Sequence, residues 1–212
     1  MPESALFRQI ARKGADKAAI ARKVVRNPAL VAEAVDCLDA ENTRQRLGCA
    51  SVLNLVSETN PELLASATDR FIRMLDHRST VLRWNATRIL GNMARTDSTG
   101  WIDRILDRYF APITGHELIA AANAIAGSAA IASARPDLSD RIAAELLNVE
   151  TARYRTPECR NVALGLVVLS FDRFFDQLRA KEAPLALIRR LRRNRRAATR
   201  KKAVEFLRKR GL

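Results

Sequence analysis

Glycine and proline are sparse in this chain, eight and seven among 212 residues. Helices tolerate these two residues least, so their scarcity favours helices, as does the dominance of alanine, leucine and arginine. Glycine is also too thin for phosphate-binding loops, and neither G-x-x-x-x-G-K-[ST] nor G-x-G-x-x-G occurs. Gly127-Ser128 lacks the surroundings of a nucleophile elbow. Only two histidines are present, His77 and His116, which offers no acid–base pair. Cys37, Cys49 and Cys159 are scattered, without a C-x-x-C pair. They are expected to be reduced core cysteines of a cytoplasmic protein, since a zinc site needs four clustered N or S ligands. No long hydrophobic run exists. The longest, Val162 to Leu169, is eight residues, against the ~20 that span a bilayer. The N-terminus has no apolar stretch of secretory length, and its basic amphipathic character leaves an organellar presequence open. No catalytic residue, cofactor or metal is expected.

What is present fits a folded chain: 48% hydrophobic and 28% charged residues. The length suits one domain or one elongated array. The strongest signal is a repeat. Five segments align: RLGCASVL from Arg46, RWNATRIL from Arg83, IAAANAIA from Ile119, RNVALGLV from Arg160 and RKKAVEFL from Arg200. The fourth residue is small (Cys49, Ala86, Ala122, Ala163, Ala203). The seventh is bulky (Val52, Ile89, Ile125, Leu166, Phe206), and the eighth is Leu53, Leu90, Ala126, Val167 or Leu207. Spacings of three and four place these on one helical face. Each segment follows another amphipathic stretch, such as Leu30, Val31, Ala34, Val35 and Leu38. Asn27-Pro28, Asn60-Pro61-Glu62 and Thr156-Pro157-Glu158 read as helix starts, with a capping side chain before proline.

These features resemble the HEAT-repeat, armadillo-like family over residues 27 to 212. The resemblance implies an all-α fold, a right-handed α–α superhelix of about five helical hairpins. It also implies a ladder of Asp and Arg between repeats. Asp39 with Arg46 and Asp76 with Arg83 match, seven apart, whereas Arg160 and Arg200 lack the Asp and Ile119 replaces the third Arg. The ladder is therefore expected to be continuous only in the first half. Residues 1–26 read as one or two capping helices, with Leu6, Phe7 and Ile10 available for packing. Residues 170–180 extend the inner helix of repeat four through Phe171, Phe174, Phe175 and Leu178, and Pro184 marks the next start.

The net charge of +14 is uneven. Residues 184–212 hold twelve Arg or Lys against Glu205, residues 1–26 carry +5, and the middle is nearly neutral. The basic C-terminal helix pair includes Arg189, Arg192, Arg193, Arg195, Arg196, Arg200, Lys201 and Lys202. It reads either as the polar cover of a solenoid's last repeat or as a footprint for phosphate or acidic partners.

Two HEAT-like enzyme families test the chemistry. Deoxyhypusine hydroxylases bind iron through repeated His-Glu pairs, and this chain has only His116-Glu117. Alkylpurine DNA glycosylases use tryptophans and a carboxylate, and here only Trp84, Trp101 and Asp103 are available, with Asp103 on an outer helix. The resemblance leaves the groove. Second helices line its concave side, and Asn54, Trp84, Arg88, Asn92, Lys201, Lys202 and Arg208 sit away from the apolar stripe. Trp84 and Arg88, four apart, read as an anchor for a peptide or a base, or Trp84 packs between repeats. The expected function is a non-enzymatic scaffold binding a protein or peptide. The alternative is a nucleic-acid-binding protein, related to DNA repair, that uses the basic patch.

Overall fold

A computed structural model describes residues 5–212, excepting the side chains of Ala5 and Phe7, so the expected packing of Phe7 lies outside the described residues. The described residues form twelve α-helices and no strand. They divide into two compact units, one ending at Thr99 and the other running from Gly100 to Leu212. Each unit is three helix pairs. Unit 1 contains α1 (Ala5–Ala11) and α2 (Lys17–Arg26), α3 (Ala29–Asp36) and α4 (Thr43–Thr59), then α5 (Thr68–Met74) and α6 (Thr80–Met93). Unit 2 contains α7 (Trp101–Phe110) and α8 (Leu118–Ala134), α9 (Ser139–Leu147) and α10 (Pro157–Phe174), then α11 (Glu182–Leu191) and α12 (Ala197–Lys209). The second helices stack in order, α2 on α4 on α6 in one unit and α8 on α10 on α12 in the other.

The recurring small and large residues make this stacking. Cys49, Ala86, Ala163 and Ala203 are fully enclosed, as are Val52, Leu53, Ile89, Leu90 and Val167. The third repeat needs a correction. Ala122 is half-buried and Ala126 exposed, while Ala121, Ala124 and Ile125 are fully enclosed. Its frame therefore starts at Leu118, one residue earlier. Small apolar residues at adjacent positions gave the alignment nothing to choose by. The N-terminal helices also hold a copy of the pattern: Ala21 and Val24 of α2 are buried against α4. Gly48 of α4 lets α1 approach so closely that a Cβ there would overlap the Ile10 side chain at 2.2 Å.

Helix starts follow local chemistry. The Thr156 hydroxyl accepts the Cys159 N–H at 3.1 Å, with Pro157 in the first turn. Asn60 is not a side-chain cap. It donates to Glu62 at 3.0 Å, and Pro61 opens a 3-10 segment, Pro61–Ala67, ahead of α5. Pro28, not Asn27, immediately precedes α3, and no side chain caps it. Asp16 and Asn42, not picked out by the pattern, cap α2 and α4 by accepting from Ala19 and Arg44, each at 2.9 Å. The extension of α10 forms as expected: Phe171, Phe174, Phe175 and Leu178 are buried. Phe175 meets Phe206 of α12 edge-on at 5.1 Å. Pro184 lies inside the first turn of α11, which begins at Glu182.

The charge ladder is the larger correction. Arg46 and Arg83 each turn back to the carbonyl six residues earlier, Ala40 at 2.8 Å and His77 at 2.7 Å, and Arg200 does the same to Asn194 at 2.9 Å. A guanidinium presents several donors in a fixed fork, so it ties down the connecting turn whether or not an Asp precedes it. Ion pairs between repeats take other arginines than these and run through both units. Asp39 pairs with Arg70 in unit 1. In unit 2, Asp103 pairs with Arg135, Asp107 with Arg141 and Glu150 with Arg190, while Glu158 pairs with Arg196 and Asp172 with Arg210. Burial pushes the Asp172 carboxyl up, but the Arg210 and Lys209 cations outweigh it and hold the pKa below the usual value. Arg210 also lies over the Phe206 ring at 4.0 Å, clamping the end of α12.

Cys37 and Cys49 are buried, and Cys159 is half-buried rather than in the core. The Cys49 thiol is pushed up by its hydrogen bond to Cys37 and by burial, so it stays protonated.

Candidate partner-binding surface

A second helix in this arrangement has one stripe that faces neither its own hairpin partner nor the flanking repeats. In α6, Trp84, Arg88 and Asn92 lie along that side of the helix, the last two reaching toward α4. None of the three is simply presented. Trp84 is half-buried, its indole N–H enclosed without a hydrogen-bond partner. Arg88 is exposed and bridges to Glu58 of α4 at 2.9 Å. Asn92 donates to the Ser57 hydroxyl at 2.9 Å. Asn54, read as a groove residue, is in fact only 5% exposed and donates to Glu58 at 3.0 Å. The open stripe of α4 instead runs through Leu47, Ser51, Leu55 and Glu58.

In unit 2 the corresponding stripes are apolar. Helix α8, LIAAANAIAGSAAIASA, has no charged residue in 17 positions. Its open stripe is Ile119, Ala122, Ala126 and Ala130, with Ile119 54% exposed. Beside it, α10 presents Val162, Leu166 and Leu169, the last 46% exposed. Solvent-facing helix stripes normally carry charge, and a contiguous apolar stretch marks a surface used for contact. The repeat alignment misread three of these residues, Ala122, Ala126 and Leu166, as core positions.

Cations border this apolar strip. Arg173 ends the α10 stripe, exposed and outside any ion pair among the described residues. Between α10 and α12 lies a 280 Å³ groove floored by Val168, Leu169 and Phe206 and edged by Lys202, Arg208 and Lys209, with Asp172 and Glu205 also on its walls. Lys202 is half-buried, and its pKa is lowered by burial and by the Arg196 charge. An ammonium in that state gains from a carboxylate brought to it.

The predicted basic residues divide between faces. Arg189 lies exposed on α11, and Lys201 makes a loose 3.8 Å pair with Glu205. Arg196 is engaged by Glu158, and Arg200 by the carbonyls of Asn194 and Arg195. Arg192, Arg193 and Arg195 stand exposed on the turn before α12. Trp84 and Arg88 belong to unit 1 and this cluster to unit 2. Trp101 is buried, Asp103 is paired with Arg135, and Glu117 is 3.9 Å from Arg155. Among the described residues, no three His, Cys, Asp or Glu side chains stand together as a metal site would require. No described helix is long and apolar enough to cross a membrane.

No protein-family model matches the chain, and no curated protein matches it. Solved structures do. A designed armadillo repeat protein aligns with TM-score 0.61 and 18% identity, over 98% of this chain and 94% of that one. Another, solved in complex with the peptide (KR)4, aligns with TM-score 0.62 and 16% identity, over 95% and 89%. A third, computationally designed for modular peptide recognition, aligns with TM-score 0.57 and 16% identity, over 96% and 89%. At these identities the likeness is one of fold. The chain has the armadillo/HEAT-like α-solenoid fold.

Proposed function

We propose that this armadillo-like solenoid is a non-enzymatic scaffold that binds a protein or peptide segment along the open stripes of α8 and α10. The observation that carries the reading is the charge-free α8 beside exposed Leu169. Such a strip gains free energy when a partner covers it, at roughly 25 cal/mol per Å² of apolar area removed from water. Designed relatives in fold that recognise peptides support a peptide as the kind of partner. The charge sign points to its chemistry. The peptide (KR)4 is basic, whereas Arg173, Lys202 and Arg208 border the strip here. The segment bound is therefore apolar with interspersed carboxylates, the cations setting its orientation more than its affinity.

Selection from a random peptide display library tests this. Peptides enriched in Leu, Ile or Phe together with Asp or Glu are expected, with affinity reduced at least ~10-fold by the double substitution Ile119→Glu, Leu169→Glu. Both side chains are exposed, so the fold tolerates the change. Selected peptides that bind the double variant as tightly as the parent would falsify the assignment of this strip.

A further inference from the structure

A different surface lies on the edge of unit 2 where α10 and α12 begin. The loop before α10 and the turn before α12 are held side by side. Asn194 donates to the Asn161 side chain at 3.0 Å, and the Thr199 hydroxyl donates to the Asn161 carbonyl at 2.7 Å. The carboxylates on this edge, Glu150 and Glu158, are already engaged by Arg190 and Arg196. Five guanidiniums remain: Arg153, Arg160, Arg192, Arg193 and Arg195. Among the described residues none makes an ion pair, and all but half-buried Arg160 are exposed. Arg160 occupies the position whose counterparts Arg46, Arg83 and Arg200 bond the carbonyl six residues back, yet it makes no such bond. Like charges gathered without counter-charges repel one another. A polyanion laid across them relieves that cost.

We infer that this edge binds the phosphodiester backbone of double-stranded nucleic acid. Guanidinium groups match phosphate oxygens in pairs, and a ridge spanning two successive hairpins suits a row of phosphates. Other polyanions fit less well. All eight aromatic side chains of unit 2 are buried: Trp101, Tyr109, Phe110, Tyr154, Phe171, Phe174, Phe175 and Phe206. No Phe, Tyr or Trp ring is presented here, which removes the usual stacking platform for single strands. No aromatic or large aliphatic side chain is exposed in either loop, so the edge lacks an anchor for a bilayer and the apolar centre of a protein interface. Contacts confined to phosphates position a duplex without reading its sequence. The inner strip of α8 and α10 is not involved, so this inference and the peptide reading stand or fall separately.

Fluorescence anisotropy with short dye-labelled DNA and RNA duplexes, between roughly 50 and 200 mM salt, tests it. Engagement of about five phosphates gives a log–log salt slope of about −4.5 on DNA. The variant Arg192→Gln, Arg193→Gln, Arg195→Gln is expected to bind at least ~10-fold more weakly at the lowest salt, with the slope shallower by about 3. A control with Arg44→Gln, Arg73→Gln and Arg78→Gln in unit 1 is expected to stay within about twofold of the parent, because nonspecific charge is a small part of a local contact. Circular-dichroism melting establishes that each variant is folded. Four results overturn the inference: no duplex binding at the lowest salt, equal binding by the edge variant, an equal loss in the control, or tighter binding of phosphatidylserine vesicles or polyglutamate than of either duplex.

Discussion

Phe171→Ala is expected to destabilise unit 2 by about 3–5 kcal/mol, the range for truncating a fully enclosed aromatic. Phe171 is 0% exposed, and its ring lies 5.7 Å from that of Phe174. It stands where the α10 extension closes over the last hairpin, with Phe175 and Phe206 completing the cluster. Removing the ring leaves a cavity that stacked helices fill only by sliding, which their other contacts resist. Leu169→Ala, two residues earlier on the same helix, is expected to cost about 1 kcal/mol or less, because its side chain is already about half in solvent. Urea unfolding followed by circular dichroism measures both. Similar costs for the two substitutions would mean that α10 is rotated from the orientation described.

Gly165→Leu is the second large effect, about 2–4 kcal/mol. A Cβ at Gly165 would sit 2.7 Å from the Thr199 hydroxyl of α12, too close for any real contact. That hydroxyl is itself enclosed and donates to the Asn161 carbonyl. A leucine forces α12 away from α10, adding overpacking strain of about 1–3 kcal/mol to the loss of a buried hydrogen bond, about 1–3 kcal/mol. The helix-propensity gain on leaving glycine, at most ~1 kcal/mol, offsets part of it. Limited trypsinolysis reads the result directly, since the Arg and Lys side chains of α12 become cleavable as the last hairpin loosens. Thr199→Ala in the same chain removes the clashing oxygen and is expected to restore part of the loss. Strict additivity of the two changes would show that the residues do not touch.

The fold was readable because helix stacking leaves a size code in the chain. Cys49, Ala86, Ala163 and Ala203 must be small where neighbouring helices approach, and the bulky residues three and four positions on must fill what remains. The code fails where neighbouring residues are interchangeable, which is why the frame of α8 slipped by one among its alanines. Polar roles were less legible. Nothing in spacing distinguishes an Arg that bonds a carbonyl six residues back, as Arg46 does, from one that reaches an Asp in the preceding hairpin, as Arg135 does with Asp103. The apolar strip was hidden by the rule that reads apolar residues as core. Ala126 fits that rule by size and polarity yet faces solvent. Only burial in the folded chain separates a packed apolar side chain from a presented one. The basic edge was half visible: Arg192, Arg193 and Arg195 stand out as a run, but Arg153 and Arg160 join them only through folding.

The central claim is that a partner segment lies on the open stripes of α8 and α10. A photo-crosslinking amino acid placed at Ala126, on the α8 stripe, tests it against the same group at Ala144, exposed on α9. With a peptide selected for binding, the account predicts a covalent adduct from position 126 and none from position 144. Adducts from position 144, or none from position 126 while the peptide still binds, would place the partner elsewhere on the molecule.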